Sequence, residues 1–94
     1  MAHTFLSRFK VKPEKEAEFV ASIGPAEEIA SREPDTLAYK FYRLDGENSF
    51  AVYESFTDAD ADEAHQANPE MEPIIATMID CIDGTYVREY LHDI

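Results

Sequence analysis

The 94-residue sequence contains no tryptophan, a single cysteine, only three glycines and no apolar run near twenty residues. The single cysteine, Cys81, excludes an internal disulfide, and no second cysteine or His-x-x-x-His pair is available for a zinc site. The lack of a long apolar run excludes a membrane-spanning helix. The N-terminal residues show no positively charged leader followed by an apolar core, so we expect a cytoplasmic protein.

Basic residues are also scarce, since 8 Lys and Arg stand against 20 Asp and Glu, for a formal net charge of −12. Negative charge of this size repels nucleic acid phosphates and anionic lipid surfaces, so we expect neither as a partner. What the chain does have is a hydrophobic fraction of 45% with six Phe and five Tyr, which excludes a disordered chain. Its length predicts one domain spanning residues 1–94.

The most strongly patterned stretch, residues 37–56, predicts a β-hairpin. Apolar and aromatic residues alternate with polar ones on both sides of a polar turn at residues 45–48, where the Asp-Gly pair is expected to supply the positive φ. Tyr39 falls on one face of the hairpin, and Tyr42 and Tyr53 fall on the other. Because both faces carry aromatic rings, both need a cover.

Two further strands are predicted by alternation at residues 4–11 and 85–91. Apolar residues at three- and four-residue spacing predict helices at residues 13–34, interrupted near Gly24, and at residues 57–68 and 73–83. Thr57 is the expected N-cap of the second helical segment. The apolar stripe of the first helix is expected to contain Ala17, Phe19, Val20, Ala21 and Ile23.

The element order β-α-β-β-α-β predicts an α+β, ferredoxin-like fold with an antiparallel four-stranded sheet and the helices on one face. The other face stays open, and we expect Tyr39 or Tyr42, Tyr53, and Phe9 or Leu6 to line it. A soluble monomer rarely exposes such a patch. We therefore predict that two copies pack through their open faces as a dimeric α+β barrel, with a sheltered pocket inside each half.

Three segments carry a family resemblance: RFKVKPEKEAEFV, EPDTLAYKFYRLDGENSFAVYESFTD and EAHQANP. Together they cover most of residues 5–80, and they resemble the antibiotic biosynthesis monooxygenase domain of the dimeric α+β barrel superfamily. The resemblance implies a homodimer. It also implies a small enzyme that oxidises a phenol or a quinol-type substrate with molecular oxygen, without a metal or flavin cofactor.

The resemblance implies that His65, in the Glu-Ala-His segment, is the catalytic residue. An oxygenation without a cofactor needs a base that deprotonates an acidic hydroxyl and a pocket that excludes water. Neutral imidazole is a suitable base because it titrates near physiological pH. The alternative interpretation is a helix histidine that only caps or packs locally.

Four more residues are candidates for substrate binding. Tyr39 and Tyr53 could donate hydrogen bonds to a quinone-like oxygen, Asn68 could bind the substrate or a peroxide, and Met71 could line the pocket entrance. Each has a structural alternative, because tyrosines and methionines commonly fill cores and asparagine before proline ends helices.

Two acidic features are interpreted as structural. Glu54 points away from Tyr53 among apolar groups, so we expect an ion pair with Arg8, Arg43 or Arg88. The acidic run at residues 58–63 lacks the glycine and the terminal glutamate of a calcium loop, and negative charge suits a helix N-terminus. No metal site is predicted.

Other functions remain open at this level. A non-catalytic dimer that binds or senses a small apolar ligand is the first alternative, and the missing tryptophans favour it. A haem-binding or haem-degrading protein is the second. Nucleotide hydrolysis and serine hydrolysis lack their motifs, because the sequence has no Gly-rich phosphate loop and no Gly-x-Ser-x-Gly segment.

Overall fold

The computed structural model describes residues 2–94, and it confirms the predicted α+β, ferredoxin-like fold. A 3-10 turn at Pro13–Lys15 precedes the first helix. The strands are β1 (His3–Val11), β2 (Thr36–Arg43), β3 (Ser49–Phe56), β4 (Ile82–Asp83) and β5 (Arg88–Tyr90). The helices are α1 (Glu16–Ser31), α2 (Ala59–Ala67) and α3 (Glu72–Cys81).

The sheet is antiparallel and five-stranded, in the order β2-β3-β1, with β4 and β5 both pairing with the free side of β1. The prediction of one continuous last strand at residues 85–91 is wrong in detail, because only Arg88–Tyr90 forms a strand there. A separate two-residue strand, Ile82–Asp83, follows α3 directly. Gly84, with φ of 84°, follows β4 and turns the chain before β5. A left-handed φ of this kind suits glycine, which has no Cβ to clash.

The hairpin between β2 and β3 is confirmed, but its turn differs from the prediction. The positive φ, 54°, belongs to Asn48 and not to Gly46. Asparagine tolerates this left-handed conformation better than most residues. A Cβ at Gly46 would lie 2.8 Å from Ser49 Oγ, so that hydroxyl would have to rotate away if another residue stood there.

Helix α1 runs without interruption through Pro25, so the predicted break near Gly24 is wrong. Its predicted stripe is also partly wrong, since Val20 is 41% exposed and the buried residues are Phe19, Ala26 and Ala30. These three are spaced by seven and four residues and therefore share one face of the helix. Several apolar residues lie close to Phe19 in the sequence, so the pattern alone did not identify which face of the helix is buried.

The two helices predicted at residues 57–68 and 73–83 are present as α2 and α3, joined by a short connection. Asp58, and not the predicted Thr57, is the N-cap of α2, and its side chain accepts a hydrogen bond from the Ala61 N–H at 2.9 Å. Asn68 ends α2, and Pro73 lies in the first turn of α3. This arrangement places the last turn of α2 against the sheet.

The helices pack on what we call the covered face of the sheet, where Phe5, Tyr39 and Glu54 align across the strands. The main core on this face is aromatic and sulfur-rich, and it includes Phe9, Phe19, Phe41, Phe50, Met71, Met78 and Cys81. Burying a phenylalanine of this kind contributes roughly 1.5–3 kcal/mol.

The opposite side, called the open face below, carries Leu6 and Tyr53, which are neighbours across β1 and β3. Tyr42 is 50% exposed and Val87 is 73% exposed. Of the residues expected on this face, Tyr39 and Phe9 lie instead on the covered face. Within residues 2–94, no helix has the length and apolarity needed to cross a bilayer.

Candidate active site

A cavity of about 110 Å³ lies between the covered face and the helices, and we call it the inner cavity. It was expected beneath a partner molecule, but it lies within the single chain, because short α2 and α3 leave space above the sheet. Ile79 and Tyr86 line it and are 54% and 42% exposed, so they mark its mouth. Its polar lining consists of Ser7, Tyr39, Glu54, His65, Gln66, Tyr86 and Arg88.

His65 lies in the last turn of α2 and is only 2% exposed. Its Nδ1 is 2.7 Å from Glu33 Oε1, whereas its buried Nε2 has no hydrogen-bond partner. The ring is held between Tyr39 and Phe56, with ring centroids at 4.6 and 5.2 Å. A buried polar atom without a partner is costly, so it marks a position where a ligand group would be favourable.

Glu33, in the segment between α1 and β2, fixes the state of this imidazole. Its Oε1 also accepts a hydrogen bond from Thr36 Oγ1 at 2.9 Å, and its Oε2 accepts one from Asn68 Nδ2 at 2.8 Å. Burial acts to raise the pKa of Glu33, but the hydrogen bonds from His65, Asn68 and Thr36 outweigh it and lower the pKa. An ionised Glu33 only accepts hydrogen bonds, so the Nδ1 of His65 is the protonated nitrogen and donates.

Glu54 faces the same histidine across the cavity, with its Oε1 3.9 Å from His65 Nε2. Burial raises the pKa of this carboxyl to about 7, against a smaller opposing effect of Arg88. The predicted ion pair is wrong, because neither Arg8, Arg43 nor Arg88 comes within ion-pair distance of Glu54 in the described chain. The sequence did hold a signal, namely an acid at an inward-facing position of an otherwise apolar strand.

Arg88 is instead held by Asp62 of α2, through contacts of 2.6 Å and 3.4 Å. Gln66 Nε2 donates to the same carboxylate at 3.0 Å, and His3 Nε2 lies 3.1 Å from it. Burial acts to raise the pKa of Asp62, but these hydrogen bonds outweigh it and lower the pKa. The guanidinium also stacks on Phe5 at 4.0 Å. Sequence reasoning gave Asp62 no role beyond the acidic start of α2.

The structure brings together only some of the predicted site residues. Tyr39 lines the inner cavity, and burial raises the pKa of its phenol, which therefore stays a neutral donor. Asn68 lies behind the histidine, where it binds Glu33. Tyr53 lies on the open face, beside a different depression near the C-terminal tail. Met71 is fully buried in the core and does not line the cavity.

The arrangement combines a base, an acid and an apolar wall in one enclosed space. His65 Nε2 offers a lone pair, Glu54 titrates near neutrality, and Tyr39 remains protonated. Such a pair can remove a proton from a hydroxyl group that enters the cavity. No cluster of three or more His, Cys, Asp or Glu side chains suited to a metal ion occurs within residues 2–94.

Comparisons with known proteins agree with this fold. The family model of antibiotic biosynthesis monooxygenases matches residues 3–77. A crystal structure of a proposed antibiotic biosynthesis monooxygenase from Caulobacter crescentus CB15 is 27% identical, with a TM-score of 0.84 over 99% of this chain and 90% of that one. No match to a curated protein sequence was found.

Two more distant solved structures share the fold. A proposed antibiotic biosynthesis monooxygenase from Nitrosomonas europaea is 17% identical, with a TM-score of 0.87 over 98% of this chain and 89% of that one. A conserved protein from Methanosarcina mazei Go1 is 21% identical, with a TM-score of 0.86 over 97% and 91% of the two chains. At these identities the likeness concerns the fold alone.

Proposed function

Because the chain belongs to the antibiotic biosynthesis monooxygenase family, we propose that it is a monooxygenase that oxidises a small phenol or quinol with molecular oxygen and without an added cofactor. The observation that carries the proposal is the buried, unpartnered Nε2 of His65, which faces Glu54 across an otherwise largely apolar cavity. His65 is the proposed base, and Tyr39 is a proposed hydrogen-bond donor to the substrate.

The proposed chemistry balances without a further reductant. His65 takes the proton of a phenolic hydroxyl, and the phenolate gives one electron to oxygen. The resulting radical pair joins at the free para carbon and takes up a proton to form a hydroperoxide. Loss of the para hydrogen and cleavage of the O–O bond then release water and a quinone. Overall, one phenol and one oxygen molecule give one quinone and one water molecule.

The size of the inner cavity narrows the substrate class. A cavity of about 150 Å³ accepts benzene, so a volume of about 110 Å³ suits at most one ring unless the mouth widens. A haem macrocycle is far larger, which disfavours the haem alternative. A purely ligand-binding dimer would be favoured by an all-apolar interior, whereas this cavity contains Glu54 and an unpartnered imidazole nitrogen.

We further propose that the single domain, residues 1–94, works as a homodimer that packs through the open face. Tyr42, Val87 and Leu91 are 50%, 73% and 47% exposed there, beside half-buried Leu6 and Tyr53. Exposed apolar side chains that share one face of a sheet favour a protein partner. In this arrangement Tyr53 belongs to the dimer interface and not to the substrate cavity, and Met71 supports the core behind α2.

The activity is tested by oxygen consumption with a panel of single-ring phenols and quinols that carry a hydrogen on the carbon para to a hydroxyl group. We expect uptake above the protein-free blank without added metal or flavin, and His65→Ala should lower kcat/KM at least about tenfold, roughly 1.4 kcal/mol. His92→Ala, in the exposed C-terminal tail, is the matched control and should keep the wild-type rate. Equal rates for both variants would remove His65 from the mechanism.

A further inference from the structure

The imidazole of His65 forms a wall between two separate spaces. On one side lies the inner cavity, and on the other lies a surface depression of about 300 Å³, called the outer depression, whose walls include Glu33, Thr36, Ala64, His65 and Asn68. The side chain of His65 is only 1% exposed, whereas that of Glu33 is 14% exposed. Glu33 therefore meets the solvent side of a ring that is otherwise closed to water.

The two ring nitrogens point to different surroundings. Nδ1 contacts Glu33 Oε1 at 2.7 Å, next to the outer depression, and Nε2 lies 3.9 Å from Glu54 Oε1, next to the inner cavity. An oxygen atom at hydrogen-bond distance from both Nε2 and Oε1 would make an angle of roughly 90° with them. The separation of these two atoms is therefore compatible with one substrate hydroxyl that contacts both His65 and Glu54.

The imidazole ring of His65 packs against two other aromatic rings. Tyr39 and Phe56 hold it from two directions, with ring centroids at 4.6 and 5.2 Å. A proton that enters at Nε2 can be matched, without rotation of the ring, by transfer of the other proton from Nδ1 to Glu33. Hydrogen bonds from Thr36 and Asn68 hold this carboxylate in the position that such a transfer needs.

We propose that His65 and Glu33 form a proton relay that passes a substrate proton from the inner cavity to solvent at the outer depression. This inference rests on the proposed function for the identity of the proton donor. The substrate O–H bond breaks as the Nε2–H bond forms, the Nδ1 proton passes to Glu33 Oε1, and water exchanges with Glu33. The ionised Glu33 offsets the positive charge that the ring carries between the two transfers.

The relay also runs in the reverse direction later in the proposed reaction. The proton on Nε2 is available to the peroxide oxygen, and Glu33 returns its proton to Nδ1. No oxidant or reductant beyond the substrate and oxygen is needed. Glu33 is a positioning and proton-carrying residue in this scheme, and it does not touch the substrate.

The first test does not depend on activity. We expect 15N NMR of protein labelled at histidine, with the His65 signals assigned by His65→Gln, to show the Nδ1–H tautomer in the wild type. Glu33→Ala should shift the tautomer equilibrium towards Nε2–H, while Glu28→Ala, an exposed residue of α1 paired with Arg32, should leave it unchanged. An Nε2–H tautomer in the wild type, or no response to Glu33→Ala, would overturn the relay.

The second test is chemical rescue with the single-ring quinols described above. Glu33→Ala should lower kcat at least about tenfold with KM changed less than about twofold, and added formate should restore the rate saturably through the outer depression. Wild type and Glu28→Ala should not respond to formate. A full rate in Glu33→Ala, or a low rate that formate does not raise, would contradict the relay.

Two controls separate the possible failures. If thermal melting shows that Glu33→Ala is unfolded, Glu33→Gln replaces it, because the amide keeps the volume and cannot carry a proton. It should show the same loss of kcat without loss of folding. If the wild type oxidises no quinol, the proposed function fails, and the tautomer measurement alone then decides whether Glu33 sets the state of His65.

Discussion

The two faces of the sheet are built from the same strands and yet differ in the kind of polar group that they hold. On the covered face, Glu54, Asp62 and His65 are largely shielded from water and contact one another or Arg88. On the open face the charged groups are solvated, as in the pair of Arg8 Nε and Glu89 Oε1 at 3.5 Å, whose side chains are 61% and 48% exposed.

From this comparison we expect proton-transfer chemistry at the covered face and dimer assembly at the open face. Neighbouring residues of β3 illustrate it, because Glu54 faces the helices while Tyr53 faces outwards. Burial raises the pKa of Glu54 to about 7, whereas a solvated carboxylate keeps its charge at neutral pH. Glu54, which lines the inner cavity, is therefore a group on the covered face that titrates near neutrality.

The largest effect is expected for Glu54→Gln, which removes the buried carboxyl. Because the pKa of Glu54 rises from 4.5 to about 7 on folding, the protonated form is favoured by the folded state. The resulting stability is fully present below pH 4.5 and is lost as the pH rises through about 7. Relative to the variant, the wild type should lose on the order of 3 kcal/mol of unfolding free energy over this range.

Urea unfolding at pH 4.5 and pH 8, at one protein concentration, measures this difference. Glu63→Gln, at an exposed position of α2, is the matched control and should follow the wild-type curve. If Glu54→Gln and the wild type lost stability in parallel, Glu54 would not be shielded as described, and the contrast between the two faces would fail.

A smaller effect, confined to assembly, is expected for Leu6→Lys on the open face. A lysine in the proposed interface would bury an unpaired charge, so the dissociation constant of the dimer should rise at least about thirtyfold, or about 2 kcal/mol. Light scattering at micromolar concentration is the measurement. Val20→Lys, on exposed helix surface, is the control and should leave the dimer intact.

This experiment also tests the assembly itself. A wild-type protein that behaves as a 10.7 kDa species would exclude the dimer. The inner cavity lies entirely within one chain. A monomeric Leu6→Lys variant should therefore lose much less activity with quinols than His65→Ala. A complete loss of activity on dissociation would mean that the partner completes the site.

The smallest effect is expected for Arg43→Ala, at the rim of the covered face. Arg43 Nη1 is 2.8 Å from Glu16 Oε1, and the guanidinium lies 4.7 Å from the centre of the Phe50 ring. Because the arginine side chain is 57% exposed, solvent screens both contacts, and the loss should stay below about 1 kcal/mol at every pH from 5 to 8. A loss of unfolding free energy as large as the one expected for the buried Glu54 would contradict this view. It would show that the exposed fraction of a side chain does not predict how much its contacts stabilise the fold.

Much of the fold follows from patterns that are local in the sequence. Alternation over residues 37–56 specifies the hairpin, since a half-buried strand must place every second side chain on the same face. The details that failed depend on neighbours in space. Pro25 is tolerated within α1, and Asn48 carries the positive φ, because packing and turn geometry outweigh the local preferences.

The site was predictable only in part, and for a physical reason. His65 came from a family resemblance, and Tyr39 came from its place on a strand. Glu33 is 32 residues away from His65 in the chain, so their 2.7 Å contact has no periodic signature. Glu54 was seen as an inward-facing acid, but its role as an ion-pair partner was wrong because Arg88 binds Asp62 instead.

The sequence by itself determined the order of strands and helices, the acidic surface and the candidate histidine, because spacing and composition act through neighbouring residues. Only the tertiary structure decided that Glu33 and Glu54 lie on opposite sides of that histidine and that the cavity lies beneath the helices. Burial and proton affinity depend on which distant segments exclude water from a group, and that exclusion exists only once the chain has folded.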